Sequence, residues 1–346
     1  MKVLHLVWGM KTGGVETMLV NIINEQVNTE KVYLFIVNDY VSEELIKKID
    51  KRCIIKRINR KPKTKNYLNI IWLNILLLTI WPDIIHVHSY RLSKLVIGNW
   101  KIVRTIHNTN NKPEEYPRMK ALYAISDAVA DFTRKQGFSN VKCIYNGIET
   151  RKFRQRLQIQ SDEHIYKIVQ VSRLFIKQKG QDLLIKALAK LLNKGVNNFG
   201  LYLIGEGKDE MLLKNMVRES GLENFVNFEG LKTQGYIYNH LCDYDLFVQP
   251  SRYEGFGITV AEAMSAKVPV LVSNIEGPME IIGYGAYGMC FKTEDVEDLA
   301  DKLENILKGG YDYTLIDKAY HQVCENYDVK QTAHRYLQEY RNVIII

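Results

Sequence analysis

No two of the cysteines in this 346-residue chain are close enough to form a C-x-x-C pair. There are five, at positions 53, 143, 242, 290 and 324. An odd number in a chain this long argues against a disulfide framework, so reduced cytosolic thiols are expected. No zinc-ligand spacing occurs. Neither G-x-G-x-x-G nor a P-loop Lys-Ser/Thr is present, which removes the dinucleotide and Walker readings. The N-terminus lacks an A-x-A site and reads as a first strand, not a signal peptide. No run reaches the roughly 20 apolar residues of a spanning helix. The longest, Tyr67–Trp81, has 15 residues and contains Asn69 and Asn74, so it is expected to be a buried or interfacial helix. No short-period repeat or low-complexity tract is visible.

What is present is a globular composition, 46% hydrophobic and 25% charged, at a length that suggests two domains. The net charge of +8 is unevenly placed. Residues 1–150 carry 23 Lys+Arg against 13 Asp+Glu, and residues 151–346 carry 24 against 26. The first part is therefore +10 and the second −2. Ten of the nineteen residues from Lys47 to Lys65 are basic and only Asp50 is acidic. Such asymmetry points to an anionic partner for the first half: an anionic membrane surface is the expected one, and a solvated basic face over a buried helix is the alternative.

Short apolar strands alternate with helical patterns. Strands are expected at Val3–Trp8, Val32–Val37, Cys53–Ile58, Ile84–Val87, Ile102–Ile106, Leu122–Ile125 and Val141–Tyr145. Helices include Gly14–Val27 and Asp127–Gln136, the latter capped by Ser126. The polar stretch Arg151–His164 reads as a linker and a hinge. The alternation then restarts, with strands at Ile168–Val171, Leu201–Ile204, Val226–Phe228, Leu246–Val248 and Val268–Val272. Helices are expected near Gln181–Leu192, Lys208–Ser220, Gly235–Cys242 and Gly257–Ala266. The expected fold is α/β, with two doubly wound Rossmann-like domains in tandem, 1–150 and 166–325, facing across a cleft. A last helix, Val329–Tyr340, could pack back on either domain. Ligands of open α/β sheets bind at the carboxyl ends of the strands, so residues just past strand ends carry the most weight.

Gly13-Gly14-Val15-Glu16 opens the first helix and suits a phosphate, or is simply a tight turn. Arg173, after the first strand of the second domain, and Lys179, before the next helix, form a candidate diphosphate clamp. The sharpest segment is Pro250–Met264. Gly255 and Gly257 free the backbone before a helix, making a second anion nest around Phe256, Ile258 and Thr259. Glu262 lies one turn past Thr259 and is placed to accept bonds from a pair of sugar hydroxyls. Glu254, on the loop, is placed to reach a reacting sugar. His107 sits past a strand end and is the best-placed histidine. His86 and His88 are expected to alternate faces, with one packed in the core. No third histidine or carboxylate stands at ligand spacing, so no metal is expected. Asp243 and Asp245 form D-x-D at the start of a strand and read as turn residues.

These segments together resemble the retaining glycosyltransferases of family four, which have the GT-B architecture. The resemblance rests on Gly13-Gly14-Val-Glu16, Thr105-Ile-His107, Tyr145-Asn146-Gly147-Ile148, Ser172-Arg173-Leu174 with Lys179-Gly180, Gly205-Glu206-Gly207, Phe228-Glu229-Gly230 and Pro250-Ser251. Its most specific part is Glu254 and Glu262, separated by seven residues. It implies a nucleotide-diphosphate sugar as donor, a UDP-sugar first. Arg173 and Lys179 would hold the diphosphate and Glu262 the ribose. Glu254 and the backbone of Gly255–Thr259 would meet the sugar and distal phosphate. Gly13 and Gly14 would close on the phosphate, and His107 would sit near the reacting sugar and acceptor. One departure is Glu276, which stands where relatives have the first of two adjacent glycines, so the shape of that loop is open.

The resemblance implies hexosyl transfer to a glycan or lipid-linked acceptor in envelope or capsular polysaccharide synthesis. It implies no cofactor, no metal and no nucleic acid. The location expected is the cytoplasm, peripheral to the inner membrane face. Two other classes remain open at this stage. One is a non-catalytic nucleotide-sugar-binding subunit. The other is a nucleotide-sugar epimerase, which product analysis would separate.

Overall fold

The computed structural model describes residues 1–11, 13–62, 64, 67–107, 118–157 and 165–345. The chain divides into two compact units. One comprises Met1–Ile148 with Tyr327–Ile346, the other Glu149–Asn326.

The first unit contains β1 (Lys2–Val7), α1 (Gly14–Gln26), β2 (Lys31–Asn38), α2 (Glu43–Ile46), β3 (Ile54–Arg60), α3 (Leu68–Ile80), β4 (Ile84–Val87), α4 (Tyr90–Ser93), β5 (Ile102–Ile106), β6 (Ala121–Ala124), α5 (Asp127–Lys135) and β7 (Val141–Cys143). All seven strands are parallel, in the order β3-β2-β1-β4-β5-β6-β7. β1, β2, β4 and β5 are buried almost throughout, as strands covered on both faces must be. Ser126 does cap α5, its side chain accepting from the Val129 N–H.

The second unit runs β8 (Tyr166–Val171), α6 (Ile176–Lys179), α7 (Gln181–Asn193), β9 (Phe199–Ile204), α8 (Glu210–Glu219), β10 (Val226–Gly230), α9 (Gln234–His240), β11 (Leu246–Gln249), α10 (Ile258–Ser265), β12 (Val270–Ser273), α11 (Glu276–Ile281), β13 (Met289–Phe291), α12 (Val296–Leu307) and α13 (Thr314–Asn326). Its parallel sheet has the order β10-β9-β8-β11-β12-β13. In both sheets the order reverses beside the first strand, between β1 and β4 and between β8 and β11. Chains diverge at that point, which leaves room for a ligand past the strand ends.

The last helix, α14 (Val329–Ile345), belongs to the first unit. Its Ala333, Tyr336, Leu337, Tyr340 and Val343 share a core with Val3, Met18, Ile22, Ile84, Val103 and Tyr123. The segment read as a linker begins differently from that reading. Residues 158–164 lie outside the described ones, but 151–157 are fastened to the second unit. The Arg154 N–H donates to the Tyr238 carbonyl at 2.8 Å and the Arg156 N–H to Ala266 at 2.9 Å. The Arg154 and Arg156 side chains pair with Asp243 and Asp245. Asp245 also accepts the Lys167 N–H at 2.7 Å. The D-x-D carboxylates therefore fasten this segment to the second unit.

α3 has no charged residue. Leu73 and Leu77 enter the core with Leu4, Leu6, Tyr33 and Phe35, while its opposite face is exposed. The two asparagines that interrupt the apolar run tie it down. Asn69 donates to the Ile58 carbonyl at 2.6 Å, and Asn74 donates to the Leu95 carbonyl at 2.9 Å. Among the described residues no helix is long and apolar enough to cross a membrane.

Tyr340 is fully buried, and its hydroxyl lies 2.5 Å from His86 Nδ1. Tyr340→Ala is expected to cost about 3–5 kcal/mol, as other large buried aromatics do. Tyr340→Phe should cost about 1–3 kcal/mol by stranding the His86 nitrogen. Urea melts followed by near-ultraviolet circular dichroism measure both. Unchanged midpoints would show that α14 is not part of the first core.

Candidate active site

In the second unit the residues past β8 and β11, the two strands at the switch point, meet. β8 leads through Ser172 and Arg173 into α6, whose last residue is Lys179. Gly180 joins α6 to α7 at φ +66, and a Cβ there would lie 1.9 Å from the Pro250 carbonyl oxygen. Only glycine fits, both for its conformation and for its clearance. Other bonds fix the same junction. The Arg252 N–H donates to the Gln178 carbonyl at 2.8 Å. The Arg252 guanidinium grips both oxygens of Asp182 at 2.8 and 2.9 Å. Gln170 donates to the Lys179 carbonyl at 2.9 Å.

Lys179 Nζ thereby reaches Glu254 Oε2 at 2.5 Å, with both side chains mostly shielded from water. The same oxygen accepts from Gln249 Nε2 at 3.2 Å, and Gln249 Oε1 accepts from Thr259 Oγ1 at 2.8 Å. Glu254, Lys179, Gln249 and Thr259 thus form one connected polar group. Arg173 is exposed; among the described residues its side chain makes one hydrogen bond, 3.3 Å to Gln178 Oε1, and it is able to turn toward a ligand.

Gly257, at φ +107, precedes the free N–H groups of α10. Phe256 is buried and holds that turn against the core. Ile258 and Thr259 make the first turn of α10, and Gly255 precedes them on the loop. Glu262, one turn on, is 8% exposed and accepts one bond, from Gln234 Nε2 at 2.8 Å. Burial raises its carboxyl to about 7, partly offset by that bond. The loop question raised by Glu276 is answered by its neighbour. Glu276 is exposed at the start of α11, whereas a Cβ on Gly277 would come within 2.8 Å of the Glu254 and Phe256 carbonyls. Gly277 is the glycine this loop requires.

Gly13, Gly14 and His107 lie in the first unit. Gly13 precedes α1 and Gly14 begins it. The Glu16 carboxylate folds back toward Gly13, so that a Cβ there would meet Oε2 at 2.7 Å. His107 follows β5. Among the described residues neither of its ring nitrogens has a hydrogen-bond partner, and burial lowers it to about 4, so it is a neutral imidazole.

The other histidines differ in two ways from the sequence expectation. His86 and His88 share a face, because side chains two apart in a strand point the same way. Their rings stack at 4.4 Å. A third histidine joins them, His5 of β1, which is paired in register with His86. His5 Nδ1 lies 3.4 Å from His88 Nε2, so His5, His86 and His88 do stand at ligand spacing. The chemistry still favours a hydrogen-bonded core. His86 uses Nδ1 on Tyr340 at 2.5 Å and Nε2 on Thr105 at 2.8 Å. His5 Nε2 is taken by Gln26 at 2.7 Å. Burial lowers all three, keeping them neutral.

Sequence reasoning missed Gln249, Gln234, Gln178 and the Arg252–Asp182 pair. Gln249 ends a strand and was open to the strand-end rule. The others become neighbours only through folding.

The comparisons with known proteins cover both units. The family described as Glycosyl transferases group 1 matches residues 149–326, and Glycosyltransferase Family 4 matches residues 12–152. An uncharacterized glycosyltransferase of Methanocaldococcus jannaschii is 31% identical over 214 residues, 58% of this chain and 54% of that one. The lipopolysaccharide core biosynthesis glycosyltransferase LpsD of Rhizobium meliloti is 26% identical over 88% of each chain. Apart from LpsD, the match spans about half the length of the first curated relatives, 54%, 48% and 48%. Among solved structures, HepE of Anabaena in complex with UDP and glucose has a TM-score of 0.82 at 19% identity, covering 99% of this chain and 100% of its own. The lipopolysaccharide outer core galactosyltransferase WaaB has a TM-score of 0.76 at 20% identity, covering 100% of this chain and 99% of its own. These structural likenesses give the fold, two Rossmann-like domains of GT-B type. With each unit matched by its own family, in chain order, the protein belongs to the family-four, group 1 glycosyltransferases.

Proposed function

We propose that the protein is a retaining, metal-independent hexosyltransferase using a nucleotide-diphosphate sugar, with UDP as the first candidate base. The observation that carries this is the meeting of Lys179, Glu254 and the α10 N-terminus past the two switch-point strands, with Arg173 exposed nearby. Support for the nucleotide comes from HepE, described in complexes with UDP and with UDP-glucose. LpsD and the amylovoran glycosyltransferase AmsK of Erwinia amylovora favour an envelope or capsular glycan as product.

The diphosphate would take Arg173, Lys179 and the α10 N–H groups. As the bond to the anomeric carbon breaks, the electron pair leaves with the nucleoside diphosphate and an oxocarbenium-like sugar remains. Lys179, the mobile Arg173 and about half a charge from a helix terminus would oppose the developing phosphate charge. The acceptor hydroxyl then attacks on the leaving-group side and gives its proton to the departing phosphate. No protein nucleophile is assigned. Glu254 would accept from a hydroxyl of the sugar, and Glu262 from the ribose pair. Gly13 and Gly14 are assigned to the distal phosphate, and neutral His107 to a hydrogen bond with sugar or acceptor. Work at the inner membrane face, approached through Lys47–Lys65, accompanies this reading and suits a lipid-linked acceptor.

Arg173→Ala and Lys179→Ala should each lower turnover by about 10²–10³. If initial rates and UDP affinity are both unchanged, the assignment fails. Activity should persist in excess chelator, and full loss restored by magnesium or manganese would contradict metal independence. Glu262 also makes donor binding depend on pH. Its carboxyl titrates near 7, and only the ionised form accepts from both ribose hydroxyls. UDP affinity should therefore be full well above pH 7, about halved at 7 and weaker below it, approaching about tenfold per pH unit. Glu262→Gln should flatten this profile in calorimetric titrations at pH 6 and 8.

A further inference from the structure

We propose that the exposed face of α3 inserts into the surface of an anionic lipid bilayer and lies in its plane, with apolar burial providing more of the hold than charge. The proposal rests on the membrane-side location given above, but not on the transferase chemistry.

A helix apolar on all sides belongs in a protein core or in lipid. α3 satisfies this on one side only. Leu73 and Leu77 are buried, while Leu68, Ile71, Trp72, Ile75 and Leu78 are between 45% and 73% exposed. Their spacing of three and four residues makes them one stripe. The stripe continues past the helix end. Trp81 is 63% exposed and packs edge-on against Trp100, with ring centroids 5.0 Å apart, beside Ile97 at 68%. Tryptophan suits the boundary between water and acyl chains. Thirteen residues make a helix about 20 Å long, short of the roughly 30 Å hydrocarbon core, so it lies along the surface and does not cross.

The rim identifies the partner by charge. Ile54 and Ile58 of β3 pack into the α3 core. Alternation therefore sets Lys56 on that same face of the strand, and Lys61 follows the strand's end. Among the described residues, Lys51, Lys56 and Lys61 are exposed and pair with no carboxylate. A basic rim around an apolar stripe matches an anionic bilayer. A second copy of the chain would bring the same basic rim against its own.

The charge term is smaller than the sequence count suggests. Lys48 pairs with Glu44 at 3.1 Å, Arg52 with Asp50 at 2.8 Å and Arg57 with Glu43 at 2.6 Å. With three of the eight described bases of this run paired in this way, salt alone should not release the protein.

The test is cosedimentation of the full chain with phosphatidylglycerol-containing vesicles at about 0.1 and 0.5 M salt, where screening differs more than twofold in length. Wild type and the double variant Ile71→Ser/Trp72→Ser are compared. Both positions are exposed, and unchanged urea melts and UDP affinity would confirm an intact fold. The double variant should partition at least about tenfold more weakly at both salts, while salt weakens wild type by less than about fivefold. Tryptophan emission of the wild type should shift to the blue on binding. Three results would overturn the proposal. They are no vesicle binding by wild type, variant binding equal to wild type, and a wild-type dimer in light scattering that the substitutions abolish. A chain that binds UDP but no vesicle would overturn only this proposal. One that binds vesicles through α3 but no nucleotide would overturn only the transferase reading.

Discussion

The second unit is organised by a close backbone approach. Gly180 lies against the Pro250 carbonyl, where a Cβ would sit 1.9 Å away. That contact joins the loop after β8 to the loop after β11. It is reinforced by Arg252, which bonds to both Asp182 oxygens and to the Ile176 carbonyl. Because the two loops cannot separate, Lys179 is delivered to Glu254 and the α10 N-terminus lies near both. A preorganised set of this kind does not have to reorganise when charge develops on a leaving group. Lys179 and Glu254, both mostly shielded from water, offset each other's charge within that set.

The parallel sheets were legible because buried strands leave continuous apolar runs, and all seven strands of the first unit lie within a few residues of those runs. The Met289–Phe291 strand was not read, since three residues are too few to show a period. The tail helix was legible as amphipathic, but its place was not. The apolar face of α14 fits a cavity built by β1, β4, β5 and α1, and no local pattern encodes that long-range fit. Arg154 and Arg156 read as linker cations, yet Asp243 and Asp245 fasten them to the second unit.

The site was legible where glycine and charge follow a strand end. Arg173, Lys179, Glu254, Gly257 and Glu262 all satisfy that rule. Gln249 also ends a strand, but Gln234 does not announce itself, because its amide becomes meaningful only once Glu262 is its neighbour. The histidines show the opposite problem. His86 and His88 are legible as a pair, and the strand period of two puts them on a common face, not on alternate ones. His5 joined them only through the pairing of β1 with β4. Strand register, which sequence leaves unspecified, created the cluster.

The proposed diphosphate clamp depends on Lys179, which Glu254 now holds. Calorimetric titration of UDP into Glu254→Gln tests this most directly. Removing the carboxylate frees the cation and takes a negative charge away from the incoming diphosphate, so UDP should bind more tightly to the variant while sugar transfer falls. Weaker or unchanged UDP binding, in a variant with a wild-type melting profile, would contradict the account.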